Sequence, residues 1–245
     1  MEEFNGQNVE KESIFRDDVT VELIDHCLSD SAVTRAARVS TLGNEAGVER
    51  EDSAERGLIN FLMRERHGSP FEHGSVTFRT EAPIFVFREH HRHRIASYNE
   101  ESGRYKELEP VFYVPNNSRN LVQQGKAGAY EYVPGSPEQH QLVVDSGEEV
   151  ARFAYEKYQE QLKAGIAREV ARMVLPVSIF STCYVTMNPR GLMNFLSLRV
   201  KSEDSTHKSY PQREIEMVAE EYEKHFAELM PMTHEAFIKN GRVAP

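Results

Sequence analysis

The chain has 245 residues, and 29 Lys+Arg against 39 Asp+Glu give it a formal net charge of −10. That length is enough for a sizeable core, and the composition argues against collagen-like, coiled-coil and disordered classes. The acidic total argues against a general nucleic-acid binder, so an anionic ligand would need a local basic cluster. The first residues are acidic and carry no apolar run, so no secretory signal is expected. Two cysteines, Cys27 and Cys183, have no metal or redox spacing and read as free thiols of a cytoplasmic protein.

In chain order, the alternation of Val19, Val21 and Leu23 predicts a strand over 17–24. Asp30 or Ser31 caps a helix running through Val39. Ala54, Leu58, Phe61 and Leu62 recur at helical spacing over 51–66, and Gly68 ends that helix. Val76 and Phe78 mark a strand over 75–80, after which Pro83 opens a helix carrying Ile84 and Phe87. The stretch 115–135 reads as a polar loop. A long amphipathic helix follows over 138–163, then a second over 166–174 that Pro176 stops. The longest uncharged stretch, 173–189, is too short and polar for the ~20 apolar residues of a membrane span. It reads as a buried strand over 177–187 with its flanks. Asn188-Pro189 supplies the cap and first-turn proline of a helix to Val200, and the last helices cover 212–229 and 233–239. This irregular order predicts an α+β or mixed α/β fold. A single domain over 1–245 is expected, with a central mixed sheet flanked by long helices.

The segment from Arg88 to Tyr105 reads REHHRHRIASYNEESGRY, concentrating Arg88, Arg92, Arg94 and Arg104 in an otherwise acidic chain. Guanidinium groups crowded together repel one another, so an anionic partner is implied, most naturally phosphate. Ser102-Gly103-Arg104 adds small residues whose N–H groups can approach an oxyanion closely. The same run also reads as a solvated, charged helix end. The histidines at 67, 73, 90, 91 and 93 do not favour a metal, because the arginines repel a dication. Neither a P-loop, nor G-x-G-x-x-G, nor G-x-S-x-G occurs. Arg190 and Asn194 share a face of the helix opened by Asn188, whose N-terminus favours an anionic or electron-rich ligand. A plain surface helix with two arginines is the alternative. Arg199 lies about half a turn around from Arg190 at ~100° per residue.

Arg92-His93-Arg94, followed by Ser97, Asn99, Glu100, Ser102, Arg104 and Tyr105, resembles the signature of the flavin-dependent thymidylate synthases. His67-Gly68-Ser69-Pro70-Phe71-Glu72-His73, the run from Arg168 to Pro176, and Asn188-Pro189-Arg190 with Asn194 and Arg199 are similar to that family's other segments. The resemblance implies a homotetramer with active sites shared between subunits. It implies reductive methylation of dUMP to dTMP, with 5,10-methylenetetrahydrofolate as carbon donor and NADPH-reduced FAD as hydride source. FAD contacts are implied for Ser69, Arg92, His93, Arg94, Asn188, Arg190 and Asn194. Contacts to dUMP are implied for Glu89, Arg92, Glu100, Ser102, Gly103, Arg104, Arg199 and, from another subunit, Arg172. Arg199 is the implied catalytic residue. Glu89 stands where relatives often carry Gln and is assigned to the base or sugar side. Neither cysteine follows a proline, as the nucleophile of the folate-only synthases does. Neither a non-catalytic nucleotide-binding regulator nor an RNA- or DNA-binding module explains Ser69 together with Asn188, Arg190 and Asn194.

Overall fold

The structure, a computed structural model, describes residues 12–48, 50–126 and 129–245, so the acidic start over 1–11 lies outside the described residues. The elements run β1 (Ile14–Arg16), β2 (Thr20–His26), α1 (Asp30–Leu42), α2 (Asp52–Arg64), β3 (Val76–Pro83), α3 (Ile84–His90), β4 (Ser97–Glu100) and β5 (Val111–Tyr113). They continue with β6 (Val122–Lys126), β7 (Ala129–Val133), α4 (Pro137–Lys163), α5 (Arg168–Ala171), β8 (Phe180–Met187), α6 (Pro189–Arg199), α7 (Arg213–Leu229) and α8 (Pro231–Lys239). Contacts divide the chain into two compact units. The larger holds Asp18–Glu101 and Thr182–Pro245, and the smaller holds Ser102–Ser181 with the described residues up to Asp17.

The larger unit is built on a four-stranded sheet of order β2-β3-β8-β4, with β2 antiparallel to β3 and β4 antiparallel to β8. Val76, Phe78 and Thr80 are buried at every second position of β3. On α7 the buried apolar side chains include Ile215, Val218, Tyr222 and Phe226, spaced for one helical face. Tyr222 stacks on Phe78 at 4.2 Å between ring centroids, and burying each such ring contributes roughly 1.5–3 kcal/mol.

Several boundaries differ from expectation for local reasons. Ser29 caps α1, accepting from Ala32 N, while Asp30 accepts from the backbone N–H groups of Met232 and Thr233 at the start of α8. Helix α2 ends at Arg64, with Arg66 rather than Gly68 in the left-handed region at φ 63°. Its buried apolar face is Ile59, Leu62 and Met63, and Phe61 is exposed beneath Arg64. Near the C-terminus, Arg242 donates from both Nη atoms to Glu223 at 2.6 and 2.7 Å, and His234 joins it at 2.9 Å. Burial alone would raise the Glu223 carboxyl, but the hydrogen bonds from His234 and Arg242 outweigh it and hold it down at about 2.

In the smaller unit, β1 pairs with β5 in parallel, and α4 starts with a capping box between Ser136 and Gln139. Tyr155 Oη donates to Leu108 O at 3.1 Å, and Leu108 N donates to Tyr158 Oη at 3.3 Å. The expected polar loop contains an antiparallel hairpin, β6–β7. The expected helix over 166–174 is α5 followed by a 3₁₀ turn, Arg172–Val174. Val177 and Met173 are exposed rather than flanks of a buried strand. Leu142, Val143, Val150 and Phe153 of α4 are exposed as well, as are Val170 and Val174. Among the described residues the architecture is thus mixed α/β with three sheets in place of one central sheet, because β1 and β5 pair with each other and the hairpin closes on itself. Among the described residues no helix is long and apolar enough to cross a membrane.

Candidate active site

In the larger unit the basic signature occupies the connection between α3 and β4. Helical bonds carry the chain past His90: His91 N reaches Phe87 O at 2.9 Å, and His93 N reaches His90 O at 3.0 Å. Arg92 and Arg94 then stand exposed, and neither pairs with a carboxylate among the described residues. Arg199 closes on this turn from the last turn of α6. Its Nη1 donates to Glu89 Oε2 at 2.6 Å, and its Nε donates to His93 Nε2 at 3.0 Å. Phe195, one helical turn earlier, packs its ring on His93 and His90 at 4.7 and 4.5 Å.

The electrostatics follow from this packing. Burial raises the Glu89 carboxyl above its usual range against the pull of Arg199, and Glu214 adds to the rise. Burial, then Arg199, pushes His93 down to about 4. Its ring is neutral at pH 7, with Nε2 accepting from Arg199 and the proton therefore on Nδ1. Glu100 ends β4 opposite Cys183. Burial and, after it, Glu100 push the Cys183 thiol up to about 11, so it offers no thiolate nucleophile at neutral pH.

At the other end of α6, Asn188 Oδ1 accepts from Gly191 N at 2.8 Å. Pro189 has no N–H, so the cap spends much of what the helix N-terminus could offer a ligand. A Cβ on Gly191 would lie 2.9 Å from Ile95 O, so the turn after Arg94 abuts this helix start. Arg190 does not project freely. It donates from Nε to Pro245 O at 2.6 Å and pairs with Glu72, lying so close over Gly68 that a Cβ there would sit 2.7 Å from its guanidinium carbon. Ser69, next in chain, is exposed at the edge of this contact, and Asn194 is exposed on α6. Ser69, the Arg92–Arg94 turn and the start of α6 are therefore neighbours.

The remaining anion-site residues lie in the smaller unit. Tyr105 N and Lys106 N both bond Ser102 O, and Arg104 N donates to Ser102 Oγ at 3.3 Å, which makes a tight turn. Arg104 Nε pairs with Glu169 Oε2 at 3.0 Å. A Cβ on Gly103 would lie 3.2 Å from Arg172 Cδ and 3.0 Å from Leu108 Cδ1, so only glycine fits without displacement. Ser102, Gly103, Arg104 and Arg172 thus meet within one chain, whereas the resemblance draws Arg172 from another subunit.

The family described as thymidylate synthase complementing protein matches residues 22–232. The flavin-dependent thymidylate synthase of Streptomyces avermitilis is 59% identical over 234 residues, spanning 94% of this chain and 95% of that relative. The chain belongs to the flavin-dependent thymidylate synthases. The synthase of Tropheryma whipplei (strain TW08/27) is 57% identical over 233 residues, 95% of this chain and 97% of its own. Among solved structures, the UMP/dUMP methylase PolB from Streptomyces cacaoi, bound with 5-Br dUMP, matches with a TM-score of 0.91. It is 55% identical, covering 95% of this chain and 100% of that one.

For a flavin-dependent thymidylate synthase, the donor set suits FAD. It comprises two exposed arginines with no carboxylate partner among the described residues, a neutral imidazole with its proton on Nδ1, an exposed asparagine and an exposed serine. Guanidinium groups match a pyrophosphate, while neutral donors match the uncharged parts of a dinucleotide. Sequence reasoning identified these residue types but missed the groups that hold them: Glu72 for Arg190, Glu169 for Arg104, and Phe195 and Tyr98 for the histidine turn. A helical i, i+4 relation between Phe195 and Arg199 was the available signal for one of them.

Proposed function

We propose that this protein reductively methylates dUMP to dTMP, with 5,10-methylenetetrahydrofolate as carbon donor, FAD as the bound redox group and NADPH as its reductant. The observation that carries the reading is Arg199, held by Glu89 and His93 on the turn that carries Arg92 and Arg94, which have no carboxylate partner among the described residues, in a protein of net charge −10. When bound, the reduced flavin supplies the hydride. The chain's own residues bind and orient. Arg92, His93, Arg94, Ser69, Asn188, Arg190 and Asn194 hold FAD. Arg104, Ser102, Gly103 and Arg172 take the nucleotide phosphate, and Glu89, Glu100 and Arg92 the sugar and base. Arg199 sits against the ring edge and favours loss of the N3 proton, which pushes electron density toward C5. No cysteine nucleophile is needed, in keeping with the buried, high-pKa Cys183.

The active form is a homotetramer in the cytoplasm, with sites shared between chains. The exposed apolar side chains of Val143, Val150 and Phe153 on α4, with Val174 beside Val150 and Phe153, support assembly, because an apolar surface of this kind marks an interface. The test is spectroscopic and chemical. The purified protein takes up FAD, NADPH bleaches its absorbance, and dTMP forms only when folate donor and dUMP are both present. A colourless protein that still binds dUMP would instead fit a nucleotide-binding regulator. Because PolB is a UMP/dUMP methylase, UMP belongs in the same assay as a second substrate.

A further inference from the structure

Behind the histidine turn lies a buried chain of hydroxyls and one imidazole that the proposed chemistry does not use. Thr80 Oγ1 lies 2.6 Å from Tyr222 Oη, and Tyr222 Oη lies 3.2 Å from His90 Nε2. His90 Nδ1 lies 3.2 Å from Tyr98 Oη, which in turn reaches His93 O at 2.8 Å and His90 O at 2.9 Å. These two carbonyls bracket His91 and Arg92.

Only one direction of donation satisfies every member. Carbonyls accept and never donate, so the Tyr98 proton points at them. The Tyr98 oxygen then accepts from His90, which places the imidazole proton on Nδ1 and leaves Nε2 to accept from Tyr222. Thr80 donates to Tyr222. The opposite direction turns the Tyr98 proton toward His90 Nδ1 and removes it from both carbonyls. Burial, with His93 next, pushes His90 down to about 3, so the ring stays neutral as this arrangement requires. Phe195 stacks on the same ring at 26°.

We propose that Tyr98 is a positioning residue of the active site: its hydroxyl pins the carbonyls of His90 and His93 and thereby aims Arg92, His93 and Arg94 at their ligands. Its placement orders the short connection that carries Arg92 and Arg94, which have no carboxylate partner among the described residues, and His93, which Arg199 and Phe195 also hold. Tyr98 touches neither substrate nor cofactor. It acts through the backbone of the turn.

The inference rests on the flavin reading, and its test separates the two. FAD affinity and melting temperature are measured for the full chain, for Tyr98→Phe and for Tyr222→Phe. Each variant removes one hydroxyl and keeps its ring, so the packing survives. Tyr98→Phe should weaken FAD binding about 3–10-fold, the value of one lost hydrogen bond. Tyr222→Phe should lower the melting temperature yet leave FAD affinity within about twofold, because Tyr98 keeps its grip. Equal losses of affinity in both variants, or none in Tyr98→Phe, overturn the positioning role. If the unmodified chain binds no FAD, the flavin reading itself fails. The imidazole ¹⁵N shifts of His90 in FAD-free protein give an independent readout. They should report the Nδ1–H tautomer, and an Nε2–H tautomer overturns the proposal.

Discussion

A guanidinium with a carboxylate 2.6 Å from one nitrogen and an imidazole 3.0 Å from another has little rotational freedom left. Arg199 therefore meets a ligand with its orientation already set, which is how a preorganised donor contributes most to a transition state. An opposite charge lowers a nearby pKa by roughly 1–3 units, and the adjacent Glu89 carboxyl offsets part of that, so about 1 unit, or ~1.4 kcal/mol, is expected at N3. Single-turnover oxidation of reduced flavin, with folate donor and dUMP across pH, checks this. Arg199→Ala should slow turnover by about 10²–10³, and raising the pH should recover part of the rate as N3 ionises unaided. Arg199→Lys should recover less than full rate, keeping the charge but not the planar fork. Normal turnover with only weakened binding in the alanine variant would reduce Arg199 to a tether. The residue types of this site are legible in the sequence. The pairings Glu89–Arg199 and Glu72–Arg190 are not, since they join positions 110 and 118 residues apart that carry no local pattern.

Helix α6 joins both halves of the larger unit's cluster, with its cap at the implied cofactor residues and Arg199 in its last turn. Asn188 can act through the cap, through FAD, or through both, and two substitutions separate these. Asn188→Ala should cost about 1 kcal/mol of stability in FAD-free protein, as lost N-caps do. Asn188→Asp should restore the cap and the melting temperature while still weakening FAD, since it sets a negative charge beside an anionic ligand. If Asn188→Asp binds FAD normally, the side chain serves only the helix. This cap was legible because Asn-Pro before an apolar run is a strong local signal. α4 and α7 were legible through their spacing. The hairpin β6–β7 was not, because Gln123, Gln124, Gly125 and Lys126 show no alternation of apolar and polar residues. β1 and β5 span three residues each, too few for a period to emerge.

Across the whole molecule, the C-terminal clamp sets an acid limit. Glu223 titrates at about 2 in the folded protein against an ordinary 4.5, so its contribution is complete above 4.5 and is lost as pH falls toward 2. Glu223→Gln should lower stability at pH 7 by about 3 kcal/mol, because Arg242 is left buried without its counter-ion. Its melting temperature should also fall less steeply than the parent's between pH 4.5 and 2. Unchanged melting at pH 7 would mean the clamp contributes nothing.

Sharing of sites between chains is testable by mixing. Gly103 already packs beside Arg172 in one chain, so the informative pair is Arg104→Ala with Arg199→Ala. Reassembled mixtures should regain activity, and proven mixed tetramers without any would argue for sites confined to single chains.

The bare α4 stripe has one more consequence, and it concerns dilution. If partner chains cover Val150 and Phe153, the folded state is held by mass action, and its durability depends on how much protein is present. Melting temperature should then rise between sub-micromolar and tens-of-micromolar solutions, whereas a self-sufficient chain would melt at the same temperature in both. A cell making little of this protein would expose that stripe to proteases and chaperones for longer, so abundance itself would set its lifetime.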